Sequence, residues 1–314
     1  MKTLKIPKRE GEYWWGGFID SGNAMPVPPK GTLKIFFRKN LSLNQANPVL
    51  LSSGGRYIAS EGYFDADIGE DAIEVTWDSG DPAPVVEECA NVKEAYLQAM
   101  RTYFPYDGKL PPEEFFRLPQ YNTWIALMYR QSQEGIIAYA ESAHANGAKG
   151  GVFFIDCGWQ KDFGVWEFNE RFPDPAAMVS RLHELGFKVL LWVVPFISPD
   201  SEVFRALREQ GLLIGGPDGK PFITEWWDGF SAAIDLSNPE GRNWFRKTLN
   251  GLRQKYGVDG FKFDAGDPQF YREDNRTVGN LTPNGESEIW ADFASEYPYN
   301  ELRACCKQGG RALV

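Results

Sequence analysis

Over the first hundred residues, apolar and polar positions alternate in short runs. Thr32 to Arg38, Val49 to Ser52 and Ala72 to Trp77 are rich in β-branched or aromatic residues, and turn clusters at Ser53-Gly-Gly55 and Asp78-Ser-Gly-Asp-Pro82 separate them. The pattern predicts antiparallel β structure, a sandwich-like domain over residues 1–104, with a short helix at Val92 to Tyr103. Pro105 to Pro119 is rich in proline and reads as a connector, so a linker is expected over 105–121.

From residue 122 the rhythm becomes strand, helix, strand, helix. Thr123 to Leu127 is expected as a strand and Glu134 to Ala145 as an amphipathic helix closed by Asn146-Gly147. Gly151 to Asp156 is the second strand. Asp174-Pro175 supplies an N-cap followed by an N1 proline, opening a helix that ends at Gly186. Lys188 to Val194 is a near-continuous apolar run, as in a parallel strand buried on both faces. Helices are expected at Glu202 to Gln210, from Asn238-Pro239 to Tyr256 and from near Glu286, with a fourth strand at Gly260 to Asp264. Such alternation argues an α/β fold, and the spacing fits a (β/α)8 barrel better than a nucleotide-binding sheet, since no Gly-rich phosphate loop follows the first strand. Only four strands, at most five, precede Val314, against the eight a closed barrel needs. Residues 122–314 are therefore read as the N-terminal half of a (β/α)8 TIM barrel.

Composition narrows the function. A net charge of −10 argues against a phosphate-tracking nucleic-acid surface. No apolar run approaches the ~20 residues needed to span a bilayer. The basic N-terminus lacks a following apolar stretch, so a cytoplasmic chain with no membrane partner is expected. Four cysteines show neither disulfide nor zinc spacing, and with only two histidines no metal or other cofactor is expected. Homo-oligomer formation stays open. The aromatic fraction of 15%, including 11 Trp, suits core packing and equally suits sugar binding, where a ring face meets the C–H face of a saccharide.

The fourth strand carries the sharpest chemical signal. Side chains alternate along Gly260-Phe-Lys-Phe-Asp-Ala-Gly266, placing Lys262 and Asp264 on one face and Phe261 and Phe263 on the other. In a barrel the Phe face packs against outer helices, and Lys262 and Asp264 point inward near the C-terminal mouth, where such barrels keep their active sites. An ammonium beside the carboxylate is expected to favour the ionised form that a nucleophile needs. Asp156 ends the second strand in the same fashion, and Cys157-Gly158-Trp159 reads as a loop lining a pocket. Its bland alternative is a turn former. Trp226 and Trp227 lie in a long irregular stretch, and at least one is expected to form a sugar platform. Asp235 is left out of the catalytic set, because capping of the next helix explains its neighbours; His144 and His183 are read as surface or packing residues, and Asp267 as a weak acid/base candidate.

Taken together, Phe154-Ile-Asp156, Lys188-Val-Leu-Leu-Trp-Val-Val-Pro-Phe-Ile-Ser198, Trp227-Asp-Gly229 through Asp235-Leu-Ser-Asn-Pro239, and Phe261-Lys-Phe-Asp-Ala-Gly-Asp267 resemble glycoside hydrolase family 31. The last segment is similar to the family's Lys-x-Asp-x-Gly-Glu nucleophile variant, with Asp267 where glutamate is usual. The resemblance implies a retaining α-glycoside hydrolase acting on an oligosaccharide or glycoside with a terminal α-glucose, α-galactose or α-xylose. Asp264 would be the nucleophile and Asp156, Trp192, Trp227, Lys262 and Arg303 substrate contacts. Asp20 would sit on a loop donated by the sandwich. The second carboxylate of such a mechanism, about 5–5.5 Å from the first, is expected beyond Val314, so the chain alone is expected to turn over poorly. Two alternatives stand beside this reading: an α-galactosidase of a neighbouring barrel family, and an inactive, truncated carbohydrate-binding relic.

Overall fold

A computed structural model describes residues 1–39 and 45–314. Its first part contains eight strands: β1 (Lys2–Pro7), β2 (Trp14–Phe18), β3 (Leu33–Phe36), β4 (Ala46–Ser52), β5 (Arg56–Ala59), β6 (Asp65–Ile68), β7 (Ala72–Trp77) and β8 (Val85–Glu88). They form two antiparallel sheets, ordered β1-β7-β6-β3 and β2-β4-β5-β8. Strict alternation drives this. In β7, Ile73, Val75 and Trp77 are buried while Glu74 is exposed. The inward residues of both sheets meet in one core around Trp14, Ile35, Leu50, Ile58 and Val75, which makes the pair a sandwich. Helix α1 (Val92–Tyr103), capped by Asn91, closes the outer face of β4 and β5 through Ala95 and Ala99.

The second part begins with a short helix, α2 (Glu114–Arg117), and five parallel strands follow in chain order. These are β9 (Gln120–Asn122), β10 (Gly151–Ile155), β13 (Phe187–Val193), β17 (Gly260–Phe263) and β18 (Asn300–Leu302), each paired with its predecessor. Between them run α3 (Trp124–Leu127), α4 (Gln133–Ala145), α5 (Pro175–Glu184), α6 (Glu202–Glu209), α7 (Pro239–Tyr256) and α8 (Pro283–Ala294). Two hairpins, β11 (Gln160–Asp162) with β12 (Val165–Phe168) and β15 (Ile223–Trp226) with β16 (Gly229–Ala233), extend the loops; a two-residue strand, β14 (Phe196–Ile197), pairs with β16. This is the opening portion of a (β/α)8 barrel. Asp174, Ser201, Asn238 and Thr282 each cap a helix with a side-chain oxygen, and α7 stops at Gly257 in the left-handed region. Among the described residues no helix is long and apolar enough to cross a membrane.

One expected strand is misplaced. Thr123 to Leu127 was an apolar run of the length that periodicity alone cannot assign, and its last four residues are the helix α3. The strand lies just before it, at β9. Asn122 makes the switch, its Oδ1 accepting from Trp124 N at 2.8 Å in a side-chain turn, while buried Thr123 turns its hydroxyl to Asp156 N at 3.0 Å.

Parity sorts the strand residues into two cores. Phe153, Ile155, Val189, Leu191, Phe261 and Phe263 pack outward against the helices, with Phe263 5.2 Å from the Trp290 ring of α8. Val152, Phe154 and Leu190 point inward with Tyr299, and Phe115 of α2 covers them from below. Gly260 is required by close approach. A Cβ there would lie 1.8 Å from the Tyr299 carbonyl oxygen, which accepts from Phe261 N at 3.0 Å in the β17–β18 ladder. Gly260→Ala is therefore expected to cost more than about 3 kcal/mol. Urea titration against the unsubstituted chain measures this, and a loss under about 1 kcal/mol would contradict the packing argument.

The sandwich docks on the barrel through α8 and the segment after β18. Tyr63 Oη donates to Glu288 Oε1 at 2.5 Å, Asn284 Nδ2 donates to the Phe37 carbonyl at 2.7 Å, and Ala46 bridges to Cys306.

Candidate functional site

Above the inward apolar layer, the C-terminal ends of the strands turn polar. Trp192 of β13 and Lys262 of β17 are register partners, and Lys262 is in turn opposite Glu301 of β18. Asp156 follows Ile155 at the end of β10 and joins this row. One pleat higher, about 6.6 Å along the strands, come Asp264 and Arg303. Asp264 N donates to the Val193 carbonyl at 2.9 Å, continuing the ladder past β17.

Asp264 is held on both oxygens. The Trp192 indole Nε1 donates to Oδ2 at 2.7 Å, and Ala265 N donates to Oδ1 at 2.9 Å. Arg303 Nε lies 3.8 Å from Oδ1. The chain leaves β17 through two left-handed residues, Ala265 (φ 54°) and Gly266 (φ 74°). Glycine is needed at 266, where a Cβ would meet Trp290 at 2.3 Å. Ala265 holds this conformation without that freedom, and such backbone strain gathers where a neighbouring group must be aimed.

The direct partner of Lys262 is Asp156, not Asp264. Lys262 Nζ donates to Asp156 Oδ2 at 2.9 Å, and Asn122 Nδ2 donates to the same oxygen at 2.8 Å. The expected Lys262–Asp264 contact is corrected by geometry. Residues two apart on one strand are too far separated for their heads to meet easily, whereas the long lysine arm crosses the concave interior to the buried Asp156. Burial works against the ammonium, but the charges of Asp156, Glu301 and Asp264 outweigh it, raising the Lys262 pKa above the usual lysine range. Asp156 Oδ1 also accepts from Cys157 N at 2.9 Å.

Trp192 is almost wholly buried and reaches the site only with its N–H. Trp227 is 46% exposed, with the Arg303 guanidinium 4.9 Å from its ring centroid and Phe270 at 5.4 Å. Its neighbour Trp226 is buried and donates to Ser231 Oγ, so of the two only Trp227 presents its ring to solvent. Asp20 is exposed on a 3-10 turn of the sandwich (Ile19–Ala24), where its carboxylate accepts from Ser21 Oγ. Its described contacts do not reach the barrel. His183 is engaged with Asp259, away from the mouth, and His144 is exposed near the end of α4. Asp235 ties down the turn before α7, accepting from Ser237 N and Val278 N at 2.9 Å.

Sequence reasoning missed Tyr129 and Glu301. Tyr129 Oη donates to Asp228 Oδ1 at 2.7 Å, tying the loop after β9 to the β15–β16 hairpin. Glu301 shares the parity of Arg303, a clue that only a strand assignment at 300–302 would have exposed. Asp267 is fully buried, 3.5 Å from Arg303 Nε, and burial pushes its carboxyl up to about 7 although Arg303 pulls the other way. Cys157 is likewise pushed up by burial, to about 12.

Behind this loop, Glu286 of α8 is buried with Oε1 unpartnered among the described residues. Burial, aided by the Asp235 charge, pushes it up to about 8 from an ordinary 4.5. A carboxyl raised on folding stabilises below its unfolded value, and that contribution is lost as pH rises through about 8. Glu286→Gln is therefore expected to be nearly neutral at about pH 5 and stabilising by about 2–4 kcal/mol at about pH 9. Denaturant titrations at both values test it. Equal effects at the two would contradict a buried, titrating Glu286.

The model of the glycosyl hydrolases family 31 TIM-barrel domain matches residues 111–312. The myogenesis-regulating glycosidase of Mus musculus is 31% identical over 204 residues, covering 64% of this chain and 28% of that protein. Alpha-xylosidase XylQ of Lactiplantibacillus pentosus is 30% identical over 188 residues, 58% of this chain and 24% of its own length. The family 31 dextranase of Flavobacterium johnsoniae, solved with glucose, superimposes with a TM-score of 0.81 at 17% identity, over 98% of this chain and 41% of that one. The chain thus spans well under half the length of these relatives.

Proposed function

Because this chain belongs to glycoside hydrolase family 31, we propose that it carries the nucleophilic half of a retaining α-glycoside hydrolase, with Asp264 as nucleophile. The observation that carries the reading is the double restraint on Asp264. Its carboxylate is fixed at the barrel mouth by Trp192 Nε1 and Ala265 N, with the Arg303 cation alongside. A carboxylate so oriented attacks the anomeric carbon of a bound sugar: the Oδ–C1 bond forms, the bond from C1 to the leaving group breaks, and a covalent glycosyl–enzyme results. Water then hydrolyses this ester. Asp156, Lys262, Arg303 and Trp227 surround the position of the sugar ring, the first three offering hydrogen bonds to its hydroxyls and Trp227 a ring face. The substrate is a terminal α-linked glucoside, galactoside or xyloside. Relatives named as α-xylosidases and an α-galactosidase support that class. The choice among them rests on groups near O4 and C6.

The test uses 5-fluoro-α-glycosyl fluorides of glucose, galactose and xylose, whose fluoride leaves without a proton and whose ring fluorine slows the second step. Mass spectrometry of the digested protein is expected to find one glycosyl adduct, on the peptide containing Asp264. Label on any other residue, or none from any of the three sugars, would sink the assignment.

A further inference from the structure

The inward row that holds Trp192 and Lys262 continues onto β18, to a carboxyl that the proposed chemistry does not use. Lys262 pairs in register with Glu301, and registered neighbours in a parallel sheet point to the same side. Glu301 thus faces the interior beside Lys262, one pleat beneath Arg303. The residues flanking it, Asn300 and Leu302, face the other way and are buried. Asn300 donates to the backbone carbonyls of Tyr297 and Ala312, at 2.8 and 3.1 Å.

Glu301 has no comparable task. It is half-buried, and its carboxylate makes no hydrogen bond among the described residues. Lys262 attracts it, but that ammonium is bonded to Asp156. Burial, with the charges of Asp264 and Asp156, pushes Glu301 up to about 7. A carboxyl without a bonding partner, placed where two like charges oppose it, does not serve the fold. It does suit a ligand, because it can accept a hydrogen bond as carboxylate or donate one as acid. The interior also holds more carboxyls than cations: Asp156, Asp264, Asp267 and Glu301 against Lys262 and Arg303.

We propose that Glu301 is a ligand-binding carboxyl of the sugar pocket, hydrogen-bonded to a ring hydroxyl of an uncharged glycone, and that together with Asp156 and Asp264 it disfavours glycones bearing an anionic substituent. This rests on the reading of Asp264 as a glycosidase nucleophile.

The experiment measures the rate of covalent labelling of Asp264 against reagent concentration. The chain and its Glu301→Gln and Glu301→Asp variants are compared, using the best 5-fluoro-α-glycosyl fluoride and its 3-, 4- and 6-deoxy analogues. Glu301→Gln is expected to raise the half-saturating concentration about tenfold to a hundredfold, the worth of one charge-assisted hydrogen bond. The limiting rate should change far less, as expected when binding common to ground and transition states is removed. The penalty should disappear for the one deoxy analogue that lacks the bonded hydroxyl, and Glu301→Asp should recover part of it. A sulfonate-bearing glycosyl fluoride should label the unsubstituted chain much more slowly than its neutral counterpart. An unchanged half-saturation in both variants, a penalty equal across all analogues, or faster labelling by the sulfonated reagent would overturn the inference alone. Failure of the unsubstituted chain to label at Asp264 would remove the glycosidase reading and this inference together.

Discussion

Asp264→Ala is expected to abolish covalent labelling by every α-glycosyl fluoride and to slow release of a good aryl leaving group by at least about 10³-fold. The size follows from what is lost. Without the carboxylate, no group on that face of the sugar is held within bonding distance of C1, and water lacks both its charge and its orientation. Azide supplies the control. A small anion entering the vacated space attacks from the same side, so the alanine variant is expected to regain turnover and to form the β-glycosyl azide. Because alanine also leaves the buried Trp192 Nε1 unpartnered, at a cost of about 1–3 kcal/mol, Asp264→Asn serves as the companion with the cavity filled. Both should lose labelling. If label instead moves undiminished to Asp267 or Glu301 in either variant, the nucleophile has been misassigned.

How much of this site could be read from sequence depended on distance along the chain. Alternation along β17 put Lys262 and Asp264 on one face and the phenylalanines on the other, and the structure keeps that division, with Phe261 and Phe263 among the helices. Caps and prolines marked α5 and α7 because those signals are local. The family match also decides between family 31 and the neighbouring α-galactosidase family. What stayed hidden was set by register and closure. The partner of Lys262 is 106 residues away, and nothing near either residue announces the pairing. Asp267 was legible as a weak acid/base candidate, but its burial was not, because it depends on Trp290 of α8 packing against Gly266. Trp192, expected as a substrate contact, is almost wholly buried, and only the pairing of β13 with β17 shows its N–H reaching the carboxylate one pleat above. The first strand was misread because a run of four apolar residues after Thr123 fits either a strand or a helix turn. A side-chain bond from Asn122 decided between them.

Lys262→Met is expected to produce the largest loss of stability, about 3–5 kcal/mol. The lysine is the cation directly bonded to Asp156, which is only 4% exposed. With the ammonium gone, Asn122 Nδ2 and Cys157 N still donate to Asp156, but two neutral donors do not offset a buried charge that also faces Asp264 and Glu301. The variant must therefore fold with a proton taken up on this carboxylate cluster. Glu301, already pushed up to about 7, would lose the attraction of the ammonium and rise further, so stability is kept at low pH and lost as pH rises through the raised value. The deficit of Lys262→Met should be small near about pH 5 and grow toward about pH 8. Adding Asp156→Asn should recover much of the loss, because it removes the charge left without a partner. The double variant therefore separates an electrostatic deficit from one of packing. If the double variant is no more stable than Lys262→Met, or the deficit does not change with pH, the lysine acts through its methylene stem and not its charge. Labelling distinguishes a further role: the double variant should fold and still react at Asp264, with weakened affinity for the sugar, if Lys262 and Asp156 bind hydroxyls and take no part in breaking the glycosidic bond.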